Sequence, residues 1–239
     1  MSESWLAPKP HCSCSQPLAP IIMKLPTILT LFLINLTTYG QSNLGVKLNL
    51  GISRVTSKFD YKTGPQKFTL MPSGQLGLFY NLDISDKSVL GTELLFLQIE
   101  GMEKYKYPDG SIMFIRRNLS YIGLPVYYGY KIKKVIVNVG FQFNYNIRRR
   151  EQWKGRYDAS QDIPFDWDTS IPYLDNYDYG IKAGMIFNRN EKFEIEGNYY
   201  HGLNNIWNSN PHQGMWKAQQ LTIGLRYKFF TSKDKKNQE

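Results

Sequence analysis

Between Leu44 and Phe230, short segments of alternating apolar and polar residues are joined by connections that are alternately long and short. The long connections are Arg54–Gly74, Glu100–Arg117, Arg148–Asn176 and His201–Lys217, and the short ones are Ser85–Lys87, Lys131–Lys133 and Asn188–Glu191. Antiparallel strands with tight turns at one end and long loops at the other are typical of transmembrane β-barrels. A soluble β-sandwich has no physical reason to sort its connections by length in this way.

The segment Val135–Ile147 alternates most clearly, because its odd-numbered residues are all apolar and its even-numbered residues are mainly amides and glycine. It is long enough to cross a bilayer as a tilted strand. The other predicted strands are Leu44–Ser53, Gln75–Ile84, Ser88–Gln98, Ser120–Tyr130, Tyr179–Phe187, Phe193–Tyr199 and Gln219–Phe230. The sequence therefore predicts an all-β fold, an eight-stranded antiparallel up-and-down transmembrane β-barrel with short periplasmic turns and long extracellular loops.

Two predicted strands contain features that alternation alone does not resolve. Leu94–Leu97 is a continuous apolar run, so we place Glu93 inside the barrel, and Leu90, Leu94 and Phe96 then face outwards. Pro125 has no backbone N–H to donate, so its strand requires a bulge or a missing ladder hydrogen bond.

The composition agrees with a β-barrel, although the mean hydropathy alone does not indicate a membrane protein. Mean hydropathy is −0.42, which is expected because only alternate residues of a barrel strand face lipid. The aromatic fraction of 15%, with 17 Tyr, fits aromatic girdles at two membrane interfaces. The net charge of +9 favours acidic lipid head groups or glycans over nucleic acid as partners of an exported protein.

Residues 23–40 are interpreted as a secretory signal peptide, with Lys24 before the apolar run Leu25–Leu36 and a small-x-small cleavage site ending at Gly40. The predicted outer-membrane barrel domain is then 41–230, followed by a charged tail, 231–239. Residues 1–22 are interpreted as a mis-set start or a disordered leader. Cys12-Ser13-Cys14 in this leader could bind a metal, but one C-x-C without a partner cluster gives that interpretation little support.

Several stretches of the chain, in this order, are similar to those of a known family. They are Leu44–Leu50, Gly91–Phe96, Leu119–Val126, Tyr177–Gly180, Glu196–Ile206 and Leu221–Phe229. From Leu44 to Phe230 the chain resembles the PorT-like outer-membrane β-barrel proteins, often called porin-family proteins, of Bacteroidetes-type bacteria. The resemblance implies an outer-membrane barrel and no single activity. The namesake takes part in a protein-secretion machinery, but no motif here singles out that role.

Seven charged residues are predicted to face the barrel interior: Lys47, Glu93, Lys182, Glu194, Glu196, Arg226 and Lys228. They could line an ion pore. Alternatively they pair and plug the lumen, because an eight-stranded barrel is about wide enough only for side chains and buried charges need partners. We favour the plug, with Glu194 and Glu196 pairing with Arg226 and Lys228 across neighbouring strands.

The third long connection combines aromatic residues with carboxylates, and its candidate binding residues are Trp153, Tyr157, Phe165, Trp167 and Tyr173. Such a surface can bind sugars or peptides, or the loop can simply pack over the barrel rim. Its carboxylates could hold Ca²⁺, but no EF-hand type of ligand loop with its glycine is present. Arg148-Arg149-Arg150, at the base of the loop, is expected to meet anionic lipopolysaccharide head groups.

The sequence gives no support for catalysis. The histidines after the predicted signal are His201 and His212, and neither G-x-S-x-G, H-E-x-x-H nor a spaced Asp/His set accompanies them. We predict a non-enzymatic protein without catalytic, cofactor-binding or metal sites.

The predicted function is a surface-loop binding or structural module of the cell envelope, with a link to secretion as one role. The alternative from a transport class is a narrow porin-like channel for ions or small solutes, and a second alternative is a soluble, lipocalin-like barrel. Expected partners are outer-membrane lipid and lipopolysaccharide, an extracellular glycan or peptide, or secretion-machinery proteins, but not nucleic acid. The chain is expected to be a monomer.

Overall fold

The computed structural model describes residues 41–58, 67–106, 110, 112–156, 166–168, 175–206 and 215–230. The interpretations of residues 1–22, 23–40 and 231–239 concern parts of the chain outside the described residues. The strands are β1 (Gln41–Lys58), β2 (Lys67–Asp83), β3 (Ser88–Lys106), β4 (Ile112–Ile132), β5 (Val135–Arg156), β6 (Asp166–Asp168), β7 (Tyr177–Asn188), β8 (Phe193–Gly202) and β9 (Met215–Phe230).

Eight of these strands form one closed antiparallel ring. Their order is β4-β3-β2-β1-β9-β8-β7-β5, and pairing of β4 with β5 closes it. The short β6 joins the ladder of β5 at Glu151–Trp153, beyond the point where β7 begins. The predicted eight-stranded up-and-down barrel is confirmed. A closed ladder leaves no unpaired strand edge where the wall crosses lipid.

The two faces of the wall differ sharply in chemistry. Phe141 is 61% exposed, whereas its neighbour Gln142 is 1% exposed. In β3, Glu93 is 2% exposed and Leu94 is 52% exposed. Glu93 therefore faces the interior and Leu94 faces outwards, as the sequence predicts for the apolar run Leu94–Leu97. The ring therefore has an apolar outer belt and a largely polar interior.

The strands of the barrel extend further than the sequence predicts at the end with the long connections. The predicted loop Glu100–Arg117 is wrong in its bounds, because its two ends pair with each other as the outer parts of β3 and β4. The outer part of β5 likewise continues to Arg156, through the first residues of the predicted third loop. Outside the bilayer the outward face no longer has to be apolar. The alternation that marks a strand therefore disappears while the hydrogen-bond ladder continues.

Pro125 lies in β4, an internal strand, where it interrupts the ladder on one side only. Pairing between β3 and β4 is in register on both sides of it but is missing where Pro125 faces Glu93. On its other side Pro125 pairs with Gln142 of β5. The Thr92 hydroxyl donates a hydrogen bond to the Pro125 carbonyl at 3.1 Å, so the interruption is short and partly bridged.

The interior is too crowded for side chains at every inward position. A Cβ atom on Gly140 would overlap the backbone of β4 at Val126 and Tyr127. The missing side chain there lets β4 and β5 lie close together, and it leaves room for the Tyr127 ring inside the barrel. Glycine at such a place reflects the small radius of an eight-stranded barrel.

Candidate functional site

The structure brings all seven predicted interior charges together inside the barrel. Each is at most 9% exposed: Lys47, Glu93, Lys182, Glu194, Glu196, Arg226 and Lys228. They come from five strands, β1, β3, β7, β8 and β9. Inward positions on these strands meet because the lumen of a small barrel is about as wide as two side chains.

The first part of this cluster joins two lysines through one carboxylate. Glu93 forms ion pairs with Lys47, at 3.0 Å, and with Lys182. Lys47 also forms an ion pair with Glu196 of β8, two strands away in the ring. These strands are not neighbours in the ring, so the contacts cross the lumen rather than follow the wall.

The second part continues from Glu196 to the last strand. Arg226 lies 3.7 Å from Glu196 and 3.4 Å from Glu194, which in turn pairs with Lys228 at 2.7 Å. The predicted pairing of β8 acids with β9 bases is present in this geometry. The seven residues thus form one chain of ion pairs, Lys182–Glu93–Lys47–Glu196–Arg226–Glu194–Lys228, which we call the charge chain.

Aromatic and amide groups surround the charge chain and occupy the space left beside it. The Arg226 guanidinium lies 3.7 Å from the centre of the Phe79 ring and 3.4 Å from the Tyr127 hydroxyl. Asn49 donates to Glu196 at 2.6 Å and to Gln75 at 3.2 Å. A buried charge is tolerated only when such partners replace water, and this environment supplies them.

Two apolar clusters lie inside the barrel beside the charge chain. At the end with the short turns, Val89, Ile136 and Ile186 form one cluster. Towards the long connections a larger cluster is formed by Val55, Leu95, Leu97, Ile99, Leu119, Tyr121, Tyr200, Ile206, Trp216 and Ala218. These clusters occupy interior space that the charge chain does not fill.

A second buried charged cluster, which the sequence did not predict, lies nearer the long connections. Arg117 pairs with Glu103 at 2.8 Å and with Glu151 at 3.0 Å, and its guanidinium stacks 3.6 Å from the Trp216 ring. Tyr105 donates to Glu103 at 2.6 Å. All five of these residues fall in segments that the sequence predicts to be long connections, and three of them are in Glu100–Arg117. One sequence pattern could have indicated this cluster. The odd-numbered residues of β3, which face the interior at Glu93, continue along the strand to Glu103 and Tyr105.

The predicted loop-binding residues are not brought together by the part of the chain that is described. The backbones of Trp153 and Trp167 lie on β5 and β6, but their side chains are outside the described residues. Tyr157, Phe165 and Tyr173 are also outside them. Their role stays a prediction.

The basic triplet lies on β5 rather than in a loop. Arg148 is exposed, and Arg149 donates to the Asn146 side chain at 3.2 Å. The predicted histidine His212 is outside the described residues. Within the described part of the chain, no group of three or more His, Cys, Asp and Glu residues is placed to hold a metal ion.

A closed ring of antiparallel strands with an apolar outer belt and a charged, filled interior defines a transmembrane β-barrel. The chain belongs to the family described as outer membrane protein beta-barrel domain, whose family model matches residues 38–208. It is therefore a protein of the bacterial outer membrane, in contact with the lipids of that membrane. Among the described residues there is no helix long and apolar enough to cross a bilayer.

Several solved structures are similar in fold. OprG from Pseudomonas aeruginosa is 17% identical, with 80% of this chain and 97% of that chain covered and a TM-score of 0.44. Ail of Yersinia pestis is 14% identical, covering 80% and 100%, with a TM-score of 0.41. Neisserial surface protein A is 12% identical, covering 78% and 97%, with a TM-score of 0.40. A search of curated proteins found no match.

Proposed function

We propose that this protein is a non-enzymatic outer-membrane barrel that acts as a surface-binding or structural module of the envelope through its long connections. The observation that carries the proposal is the filled interior, where the charge chain and two apolar clusters occupy the lumen. A barrel without an open lumen presents its outer surface and its connections to the environment. The resemblance to PorT-like proteins of Bacteroidetes-type bacteria supports a link to protein secretion as one such role.

Conductance measurements test this proposal against the alternative of a narrow channel. Purified barrel in planar lipid bilayers should give no stepwise single-channel currents, because paired charges and apolar side chains block the lumen. The double variant Lys47→Ala, Arg226→Ala, which removes two long side chains from the charge chain, should conduct more than the wild type and provides the positive control. Wild-type steps whose ion selectivity changes in Lys47→Gln would instead support the channel.

The proposal also assigns an orientation and a route of export. The long connections face the cell exterior and the short turns face the periplasm, after cleavage of residues 23–40 leaves a mature chain that starts near Gln41. A tag inserted at Gly110, between β3 and β4 at the end of the barrel with the long connections, should react with antibody on intact cells. A tag at Asn190, in the turn between β7 and β8, should react only after permeabilisation. The reverse result would invert the barrel.

A further inference from the structure

An open groove lies on the outer wall of the barrel, across β1, β8 and β9 and beside the outer part of β2. It has a volume of about 180 Å³. Ile52, Leu70, Tyr199 and Leu221 form its apolar walls, and each is between 40% and 53% exposed. Since these side chains point away from the lumen, the groove is open to whatever surrounds the barrel.

A row of hydrogen-bonded polar side chains borders the groove on the side nearer the long connections. The Arg54 Nε atom donates to Gln219 Oε1 at 2.6 Å. The Gln219 amide nitrogen lies 2.9 Å from His201 Nδ1, and the Tyr199 hydroxyl lies 3.4 Å from the same atom. Gln219 therefore holds the guanidinium of Arg54 at the border of the groove through its Nε atom.

Two cations at this border lack acidic partners among the described residues. Arg54 on β1 pairs through its backbone with Gln219 on β9, and Lys217 is the next outward residue along β9. Arg54 and Lys217 thus lie diagonally across one ladder. The charges of the charge chain, by contrast, all have partners. The border of the groove is complementary to an anion with several acceptor oxygens, which an Arg fork and a Lys ammonium bind well.

The order of these groups along the wall matches an amphipathic molecule standing in the membrane. Ile52 and Leu221 lie nearer the middle of the apolar belt. Arg54 and Lys217 lie further towards the long connections. We propose that the groove binds the phosphorylated glycolipid of the outer leaflet, lipid A, with an acyl chain against the apolar walls and a phosphate between Arg54 and Lys217. This inference rests on the orientation given in the proposed function.

Native mass spectrometry of the detergent-solubilised barrel with bisphosphorylated lipid A tests the site. The double variant Arg54→Gln, Lys217→Gln should bind lipid A about 30-fold more weakly than the wild type, since it loses two cations that face an anionic head group. Dephosphorylated lipid A should bind both proteins equally weakly. The matched control Lys106→Gln, Lys154→Gln removes two exposed cations on β3 and β5, elsewhere on the outer wall, and should leave binding unchanged. Heat-modified gel mobility verifies that every variant is folded.

Three results would overturn the inference. Equal binding of lipid A by the wild type and the Arg54→Gln, Lys217→Gln variant would mean that the groove does not recognise the head group. An equal loss in the control variant would reduce the effect to general attraction between cations and lipid. Displacement of lipid A by millimolar inorganic phosphate would make this a site for free phosphate. An inverted result in the tag experiment would contradict the orientation, and with it the binding of lipid A in the cell, whereas the binding measurement in detergent tests the groove independently of membrane sidedness.

Discussion

The variant Glu196→Gln is expected to lower the free energy of unfolding of the barrel by about 3 kcal/mol, because removing one member of a buried ion pair leaves the other charge uncompensated. Glu196 is 1% exposed and joins Lys47 to Arg226 at the centre of the charge chain. Without its charge, four cations share two carboxylates. The measurement is a reversible urea titration of the barrel in lipid vesicles, followed by tryptophan fluorescence.

A second substitution should recover part of this loss, and the structure indicates which one recovers more. Lys47 is the closer partner of Glu196, and its removal leaves Glu93 paired with Lys182. Arg226 is further from Glu196 and also packs on Phe79, so removing it leaves unfilled space. We expect Glu196→Gln, Lys47→Gln to be more stable than Glu196→Gln, Arg226→Gln.

The control for buried charge is an ion pair at the barrel rim. Asp83 and Lys131 lie 2.9 Å apart with side chains 18% and 26% exposed, so Asp83→Asn should change stability by about 1 kcal/mol or less. If Glu196→Gln unfolds like the wild type and instead alters ion selectivity in planar bilayers, then the lumen holds water, and the protein is a channel.

The membrane-spanning parts of the strands could be predicted because lipid constrains one face of each strand. Hydrocarbon excludes polar groups from outward positions, so every second residue from Val137 to Tyr145 is apolar. Above the bilayer that constraint ends. Lys104 and Arg116 occupy outward positions there, and the alternation no longer identifies a strand, although the ladder continues.

The pairing of the interior charges could be predicted only in part, for a geometrical reason. Glu194 and Arg226 are directly opposite each other on the hairpin β8–β9, which sequence order is enough to indicate. Lys47 meets Glu93 and Glu196 across the lumen, from strands that are not its neighbours. Such contacts depend on the stagger of the strands around the ring, which a single sequence does not specify.

Arg117 illustrates a different limit. Its partners Glu103 and Glu151 come from β3 and β5, and the ring of Trp216 comes from β9. Each of these residues lies in a part of its strand whose outward face is not apolar. Alternation there does not show which residues point into the barrel. The same limit applies to the aromatic residues of the third connection, which follow no period.

The variant Phe141→Arg is expected to lower the free energy of unfolding in lipid vesicles by about 2–4 kcal/mol, because it places a cation against hydrocarbon near the midplane of the bilayer. Phe141 is 61% exposed on the outer face of β5. In a soluble protein, an exposed Phe→Arg change would cost little. The same change at Phe68, which is 36% exposed near the long-connection end of β2 and above the apolar belt, is the matched control and should have an effect of about 0–1 kcal/mol. The comparison is made by urea titration in vesicles of two acyl-chain lengths, and the penalty at Phe141 should be larger in the thicker bilayer, where the cation is further from the interface. Equal effects at the two positions would mean that the exposed belt of β5 does not face lipid, and that the outer wall is covered by water or by another protein.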